Sequence, residues 1–297
     1  MERLRQAVIV LGMHRSGTSA LAGALGILGA RLPNRPMPPQ PDNPKGFFES
    51  NEITAIHDRL LAAAGTTWLG LEQISAEWQC SPATAAFVDE LAAAVAEDYD
   101  DAPLFAIKDP RMCRLMPIWR RVLDRVGARP RFAITVRNPL EVAQSLKNRN
   151  RLPISYGCLL WLLHMIEAEL HTRQSPRVFA SYDNLLRNPG ETVKHIASEL
   201  KLDSSLINEK SAPSIVSFVD PTMRHHVADI EELESRGRYC PWLLETYQAL
   251  GVLVQFPFDT EARQRLDNVR TFFAQALSES AIREKMLADL QSLELIS

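Results

Sequence analysis

The chain has 297 residues, 46% of them hydrophobic, with a net charge of −3 and a pI near 6.2. This length suffices for one large α/β domain, and the mild acidity gives no overall sign of binding to nucleic acid or to an acidic membrane surface. The charge is uneven, since residues 108–151 contain 12 Lys or Arg but only three acids. Such a basic band indicates a site for an anionic ligand, unless part of it is a solvated helix face.

Cysteine usage and hydropathy bear on the cellular compartment. The four cysteines lie far apart and lack the spacing of a metal site, so we expect packing thiols in a reducing environment. They are Cys80, Cys113, Cys158 and Cys240. No uncharged stretch of the sequence approaches the length of a transmembrane helix. Together these features predict a cytoplasmic protein.

The N-terminal segment predicts a strand, a glycine-bearing loop and a helix. An apolar run precedes residues 12–19, Gly-Met-His-Arg-Ser-Gly-Thr-Ser, and a pattern of small residues and leucines follows them. In this arrangement the N–H groups of the loop and of the helix N-terminus converge on one anion. The spacing of Gly12 and Gly17 is half of the P-loop fingerprint, but Thr18 stands where the P-loop lysine would be. The cation, Arg15, lies inside the loop, which argues against a cradle built for ATP and magnesium.

A proline-rich loop and three further strands follow. Residues 31–48 contain six prolines, which exclude helix and interior strand and predict a surface loop beside the candidate anion site. The next predicted elements are a helix from Ser50 or Asn51 to Ala64, a helix over 81–97, strand 104–107, a helix to Val126, strand 131–136, helix 139–148, helix 154–171 and strand 177–182. This alternation predicts an α/β fold with a P-loop-like parallel sheet flanked by helices, and a ligand crevice at the carboxyl ends of the strands.

The C-terminal portion is predicted to be mostly helical. Its apolar residues recur at helical spacing, which is typical of either an intramolecular core or the seam of a homodimer. These residues are Leu266, Val269, Phe273, Ala276 and Leu277, followed by Met286, Leu287, Leu290 and Leu293. We therefore divide the chain into a main domain over 1–255 and a helical extension over 256–297.

A second candidate anion site follows the third predicted strand. Arg137 stands at the strand end, and Ser145 lies two turns into the next helix on roughly the same side. A guanidinium group and a hydroxyl suit a terminal phosphate. Taken with the Arg15 loop, this pair predicts a nucleotide that is phosphorylated at two places.

These motifs resemble those of the sulfotransferase family. Residues 15–19 resemble its 5′-phosphosulfate loop, and residues 137–145 resemble its 3′-phosphate motif. The arginine inside the loop is similar to the branch with carbohydrate and protein-tyrosine sulfotransferases, and Lys-Asp-Pro at 108–110 resembles a segment of the tyrosine-acting enzymes. The resemblance extends over residues 7–190 and fades in the last hundred residues.

The resemblance implies transfer of a sulfuryl group from 3′-phosphoadenosine 5′-phosphosulfate (PAPS) to a hydroxyl or amine, leaving adenosine 3′,5′-bisphosphate (PAP), without a metal. The loop residues that would hold the 5′-phosphate are Arg15, Ser16, Gly17, Thr18 and Ser19. Lys108 would reach the sulfuryl or bridging oxygen, and Arg137 and Ser145 would hold the 3′-phosphate. Fixed cations and N–H donors there would stabilise the charge that develops on the departing phosphate. Arg15 and Lys108 are thus also candidate catalytic residues.

Other candidates carry less specific signals. The resemblance implies a Glu as the base that takes the acceptor proton, and Glu49 fits that place best, although it could equally be a helix-start acid. Glu52 and His57 are further candidates, and we expect His57 to be an ordinary, partly exposed helix residue. By analogy with a basic C-terminal loop in relatives, Arg224, with the two histidines after it, is expected to close over the nucleotide.

Two alternative functions remain open from the sequence. The first is an atypical P-loop kinase or NTPase in which Asp109 is the magnesium-side acid, and the second is a non-catalytic nucleotide-binding module. The missing lysine at Thr18 argues against the first, and Glu49 argues against the second. We expect the acceptor to be a glycan or a small metabolite, and we expect no nucleic-acid partner.

Overall fold

The computed structural model describes residues 5–41, 43–220, 224, 233–235, 240–279, 284, 286 and 288. Its centre is a sheet of parallel strands in the order β2-β1-β3-β4. The strands are β1 (Arg5–Leu11), β2 (Leu104–Lys108), β3 (Ala128–Val136) and β4 (Arg177–Ser181). The predicted α/β fold with a P-loop-like parallel sheet is therefore confirmed.

Helices connect the strands and cover both faces of the sheet. They are α1 (Thr18–Leu28), α2 (Asn51–Ala63), α3 (Ala76–Cys80), α4 (Ala85–Tyr99), α5 (Met116–Arg125), α6 (Pro139–Asn150), α7 (Ile154–Thr172), α8 (Tyr182–Arg187), α9 (Pro189–Glu199), α10 (Ala212–Phe218), α11 (Pro241–Gln255) and α12 (Thr260–Ser278). Short 3₁₀ turns also occur at Pro82–Thr84, Pro110–Arg114, Ser204–Leu206 and Glu209–Ser211. Parallel strands need such crossovers, which is why the sheet is covered on both sides.

Alternation along β1 divides the core into two layers. Ala7, Ile9 and Leu11 point into a large core formed with α2, α4, α5, α6, α7, α11 and α12. Val8 and Val10 point into a smaller core formed with α1, α8, α9 and α10. Because successive side chains of a strand alternate between faces, the continuous apolar run of β1 suits a strand that is buried on both sides.

Several sequence expectations differ from the structure in detail. The third strand, predicted from residue 131, begins at Ala128. The fourth strand ends at Ser181, because the Ser181 hydroxyl caps α8 by accepting a hydrogen bond from the Asn184 N–H. The helix expected from residue 81 begins at Ala85, after a 3₁₀ turn that opens on Pro82. The expectation that all four cysteines are packing residues is wrong for Cys80, which is exposed at the end of α3.

The apolar stripe of the C-terminal portion lies within the larger core. Leu266, Val269, Phe273 and Ala276 on α12 are buried together with residues of α11 and of the sheet. Met286 is also buried, whereas residues 287, 290 and 293 lie outside the described part of the chain. The described part of this stripe is therefore intramolecular core.

Hydropathy along the helices bears on membrane association. In the part of the chain that the structure describes, no helix has both the length and the apolarity that a membrane span requires.

Candidate active site

A cleft lies at the carboxyl edge of the sheet, where three strand ends deliver cations. Arg15 follows β1, Lys108 ends β2 and Arg137 follows β3, and all three line the cleft. The remaining lining comes from the loop before α1, the proline-rich loop, the turn after β2, helices α1, α6, α8 and α10, and the segment after α10. It includes His14, Gly17, Thr18, Ser19, Asn43, Lys45, Phe47, Phe48, Glu49, Pro110, Arg149, Tyr182, Leu186, Phe218 and Asp220.

The loop before α1 has a backbone that only glycine tolerates easily at its final position. Gly17 has φ of 88° and is the N-cap residue immediately before α1. A Cβ on Gly17 would lie 2.3 Å from the ring of Tyr182. Arg15 also adopts a positive φ, 71°, so the loop turns sharply twice. The result is a helix N-terminus whose free N–H groups face the cleft, as an anion site requires.

We expect Gly17→Ala to lower the free energy of unfolding by about 2–5 kcal/mol. A left-handed conformation costs an L-residue roughly 1–2 kcal/mol, and the clash with Tyr182 adds about 1–3 kcal/mol. Gly65→Ala is the matched control, because Gly65 has φ of 75° but has nothing within 4 Å of its Cβ position. Urea unfolding of both variants measures the difference. Equal losses would show that the contact with Tyr182 is unimportant.

The second cation group is organised around Arg137 at the start of α6. Asn138 caps this helix by accepting from the Leu140 N–H at 3.0 Å. The Arg137 Nε–H donates to Glu141 at 2.8 Å, and its Nη1 donates to the backbone oxygen of Arg15 at 2.8 Å. The guanidinium lies 4.4 Å from the ring centroid of Tyr182. Arg137 is therefore held against the loop before α1 from several directions.

Arg15 joins the two candidate anion sites. Its Nε–H donates to the Ser145 hydroxyl over 2.8 Å. The structure thus brings Arg15, Arg137 and Ser145 together on one side of the cleft, although the sequence assigned Arg15 to the other phosphate. Ser19, in contrast, accepts a hydrogen bond from Lys108 over 3.2 Å.

The remaining nucleotide candidates have different surroundings. Arg224 is paired with Glu141 and with Asp183, the latter at 2.7 Å, so it is tied to the same carboxylate as Arg137. His225 and His226 lie outside the described residues. The Ser16 hydroxyl is buried and makes no hydrogen bond to any described residue. Arg224 therefore joins the Arg137 side of the site.

Lys108 and Glu49 form a buried ion pair at the other side of the cleft. The Lys108 ammonium donates to Glu49 Oε1 and, over 3.2 Å, to the Ser19 hydroxyl. Both side chains are at most 5% exposed. Burial raises the pKa of the Glu49 carboxyl, and the charge of Lys108 only partly offsets this effect. A carboxylate with a raised pKa beside a cation is suited to accept a proton near neutral pH.

The other two candidate bases lie in less suitable places. Glu52 is exposed on the first turn of α2 and is absent from the described lining of the cleft. The expectation that His57 is partly exposed is wrong, since its side chain is fully buried. His57 Nδ1 lies 2.9 Å from Asp109 Oδ2, and the Trp119 indole N–H donates to His57 Nε2 over 2.8 Å. Both ring nitrogens are thereby occupied, so Glu49 is the best placed of the three.

Several cleft residues had no recognisable signal in the sequence. Asn43, in the proline-rich loop, donates to the Ser19 hydroxyl at 3.2 Å and to the Gly46 carbonyl at 2.7 Å. Lys45 donates to the Phe218 carbonyl at 2.6 Å and so connects that loop to the end of α10. These contacts join segments that are far apart in the sequence, and contiguous sequence motifs do not reveal them.

His14 is a further cleft residue that the sequence did not single out. Its ring lies 4.7 Å from that of Trp68, and its Nε2 is covered without a hydrogen-bond partner among the described residues. Burial, together with the nearby charge of Arg111, holds the pKa of His14 well below its usual range. The imidazole is therefore neutral at physiological pH.

Comparison with known proteins adds no relative. No protein-family model matches the chain, and a search of curated proteins found no significant match. The residues of the cleft are therefore the basis on which a function is inferred.

Proposed function

We propose that the protein is a PAPS-dependent sulfotransferase. The observation that carries the proposal is the presence of two cation groups in one cleft, connected through the phosphate loop. One group is Lys108 with Glu49, beside Ser19, and the other is Arg137 with Ser145, beside Arg15. A donor with a phosphosulfate at one end and a 3′-phosphate at the other matches this division.

The proposed reaction is an in-line displacement at sulfur. Glu49 takes the proton of the acceptor hydroxyl while the acceptor oxygen bonds to sulfur. The bond from sulfur to the bridging oxygen breaks at the same time. The negative charge that develops on the 5′-phosphate of PAP is stabilised by Lys108 and by the N–H groups at the start of α1. Arg137 and Ser145 hold the 3′-phosphate and thereby fix the donor in register.

The kinase alternative fits the surroundings of Asp109 less well. Asp109 is buried, and its oxygens interact with Arg111 at 3.1 Å, with His57 at 2.9 Å and with Thr54 at 3.3 Å. Burial would raise the pKa of Asp109, but Arg111 and His57 hold it well below its usual range. A carboxylate that is already committed to three partners is poorly suited to a hydrated magnesium ion.

Thermal unfolding with nucleotides tests the donor. We expect PAP in EDTA, at about 100 times its dissociation constant, to stabilise the protein by about 2.7 kcal/mol and to raise Tm by roughly 5 °C. ATP, with magnesium or with EDTA, should have a smaller effect, because it lacks the 3′-phosphate. Stabilisation by ATP only when magnesium is present would instead support the kinase alternative.

The proposal also includes the acceptor and the compartment. We propose a glycan or small-metabolite hydroxyl or amine as the acceptor, and the cytoplasm as the location. A non-catalytic nucleotide-binding module would bind PAP in the same assay but would transfer no sulfuryl group. Transfer from labelled PAPS therefore separates the enzyme from the module.

A further inference from the structure

A chain of buried polar side chains runs from Trp119 to the edge of the cleft. Trp119 and His57 are fully buried, and Asp109 is 1% exposed. The chain passes from the Trp119 indole through His57 and Asp109 to Arg111, whose Nη1 lies 3.9 Å from Glu49 Oε2. Burial of so many polar groups is costly unless each is satisfied, and every link here has a partner.

The Trp119 end determines the protonation of His57. An indole N–H can only donate a hydrogen bond, so His57 Nε2 must be the acceptor and carries no proton. The proton of the neutral imidazole is then on Nδ1, from which it is donated to Asp109. This leaves Asp109 as a fixed anion with a fixed orientation.

Arg111 is held at both ends of its guanidinium. Its Nη1 donates to Asp109 Oδ1 at 3.1 Å, and its Nε donates to Asp58 at 2.8 Å on the outer side. Its own backbone N–H donates to Asp109 at 2.9 Å. Lys108, by contrast, is shared between Glu49 and Ser19, the hydroxyl of the proposed phosphosulfate loop. Arg111 is therefore fixed by Asp109 and Asp58, whereas Lys108 is directed toward the proposed donor site.

We infer that Arg111 is a positioning residue for Glu49, anchored by Asp58 and by the buried chain of Asp109, His57 and Trp119. The inference rests on the proposed function. When the donor arrives, its sulfuryl group attracts Lys108, and Arg111 remains as the cation that orients Glu49 and sets its basicity. The charged groups that face Glu49 are Lys108 and Arg111, which favour its ionised form, and Asp109, which opposes it.

Arg111 does not enter the covalent step. The acceptor proton passes to Glu49, the acceptor oxygen bonds to sulfur, and the bridging oxygen leaves with its electron pair as the 5′-phosphate of PAP. Glu49 then releases the proton to solvent. Arg111 acts by orienting Glu49 and by keeping its pKa low enough for the base to be ionised before the acceptor binds.

The titration of Glu49 tests this inference directly. In the full chain labelled with ¹³C at the glutamate carboxyls, the Glu49 signal is assigned by its loss in Glu49→Gln, and its midpoint is followed against pH. We expect Arg111→Gln to raise the midpoint by about 1 pH unit or more, because a cation about 4 Å away is removed, and Arg111→Lys to raise it less. A purely structural role would lower Tm and leave the midpoint unchanged.

Two further variants keep the inference testable if Arg111→Gln does not fold. Asp58 is half-exposed, so Asp58→Asn loosens the outer anchor of Arg111 at little cost to the core, and it should raise the midpoint by a smaller amount. Arg59→Gln is the matched control, since Arg59 is on the same helix but pairs with Glu90. An unchanged midpoint in Asp58→Asn and Arg111→Lys would overturn the inference.

The same samples separate this inference from the proposed function. PAP is added to each variant, and its affinity is measured by calorimetry. If wild-type protein fails to bind PAP, the proposed function fails, whether or not the Glu49 midpoint responds to Arg111. If PAP binds and the midpoint does not respond, only the role of Arg111 is rejected.

Discussion

Glu49→Gln is expected to bind PAP normally and to lose sulfuryl transfer by a factor on the order of 10²–10⁴. The amide has the shape of the carboxylate but cannot take the acceptor proton. Its carbonyl oxygen can still accept the hydrogen bond from Lys108, so the cleft should keep its geometry. Because burial raises the pKa of Glu49, the wild-type rate should fall as the pH is lowered and Glu49 is protonated. The pH at which the rate falls should be higher than the pKa of an exposed glutamate.

Transfer of ³⁵S from labelled PAPS to a panel of phenols, monosaccharides and amino sugars measures this effect. Glu52→Gln is the matched control, because Glu52 is an exposed glutamate on the first turn of α2, three residues after Glu49. This variant should leave the rate unchanged. Full activity in Glu49→Gln would contradict the assignment of the base. With PAP affinity intact, that result would limit Glu49 to its ion pair with Lys108.

The order of elements in the fold could be predicted well from the sequence. Each strand is a short apolar run with a polar or glycine-bearing end, and Asn138 followed by Pro139 marks the start of α6 clearly. The errors lie at element ends. A capping hydroxyl at Ser181 ended β4 one residue early, and the turn at Pro82 delayed α4, because both depend on local hydrogen bonds that periodicity does not report.

The candidate site could be predicted only where its residues fall in contiguous motifs. Arg15 and Arg137 follow strands and Lys108 ends one. The carboxyl ends of parallel strands meet at one edge of the sheet, so the proximity of these residues follows from topology. The burial of His57 could not be foreseen, since it depends on Asp109 and on Trp119, which lie more than 50 residues away. Pairing across such distances is a property of the tertiary fold.

The role of Tyr182 shows the same limit. From the sequence, Tyr182 is predicted only as the last residue of the fourth strand. In the structure its ring packs against Gly17 and under the guanidinium of Arg137, so that it contacts both the loop before α1 and the segment after β3. Its position depends on the end of β4 lying beside β3 and on Gly17 lacking a side chain.

Arg137→Ala is expected to weaken PAP binding by about 10- to 100-fold, while the affinity for AMP changes little. A hydrogen bond to a charged group contributes about 1.5–3 kcal/mol, and each 1.4 kcal/mol is a factor of ten. Removal of Arg137 also removes its hydrogen bonds to Glu141, which stays paired with Arg224, and to the Arg15 carbonyl. That loss affects both nucleotides. The ratio of the two affinities therefore isolates the 3′-phosphate.

Calorimetry with PAP and AMP on wild type, Arg137→Ala and Ser145→Ala completes the test. Ser145→Ala should lower the PAP-to-AMP ratio less than Arg137→Ala does, because a neutral hydroxyl contributes less than a guanidinium. Arg149→Ala is the control, since Arg149 lines the cleft and is on α6, the helix that carries Ser145. Its guanidinium lies 5.5 Å from the ring of Phe47, away from the proposed 3′-phosphate site. An equal loss of AMP and PAP affinity in Arg137→Ala would mean that Arg137 supports the phosphate loop and does not bind the 3′-phosphate. Only the proposed 5′-phosphate site would then remain.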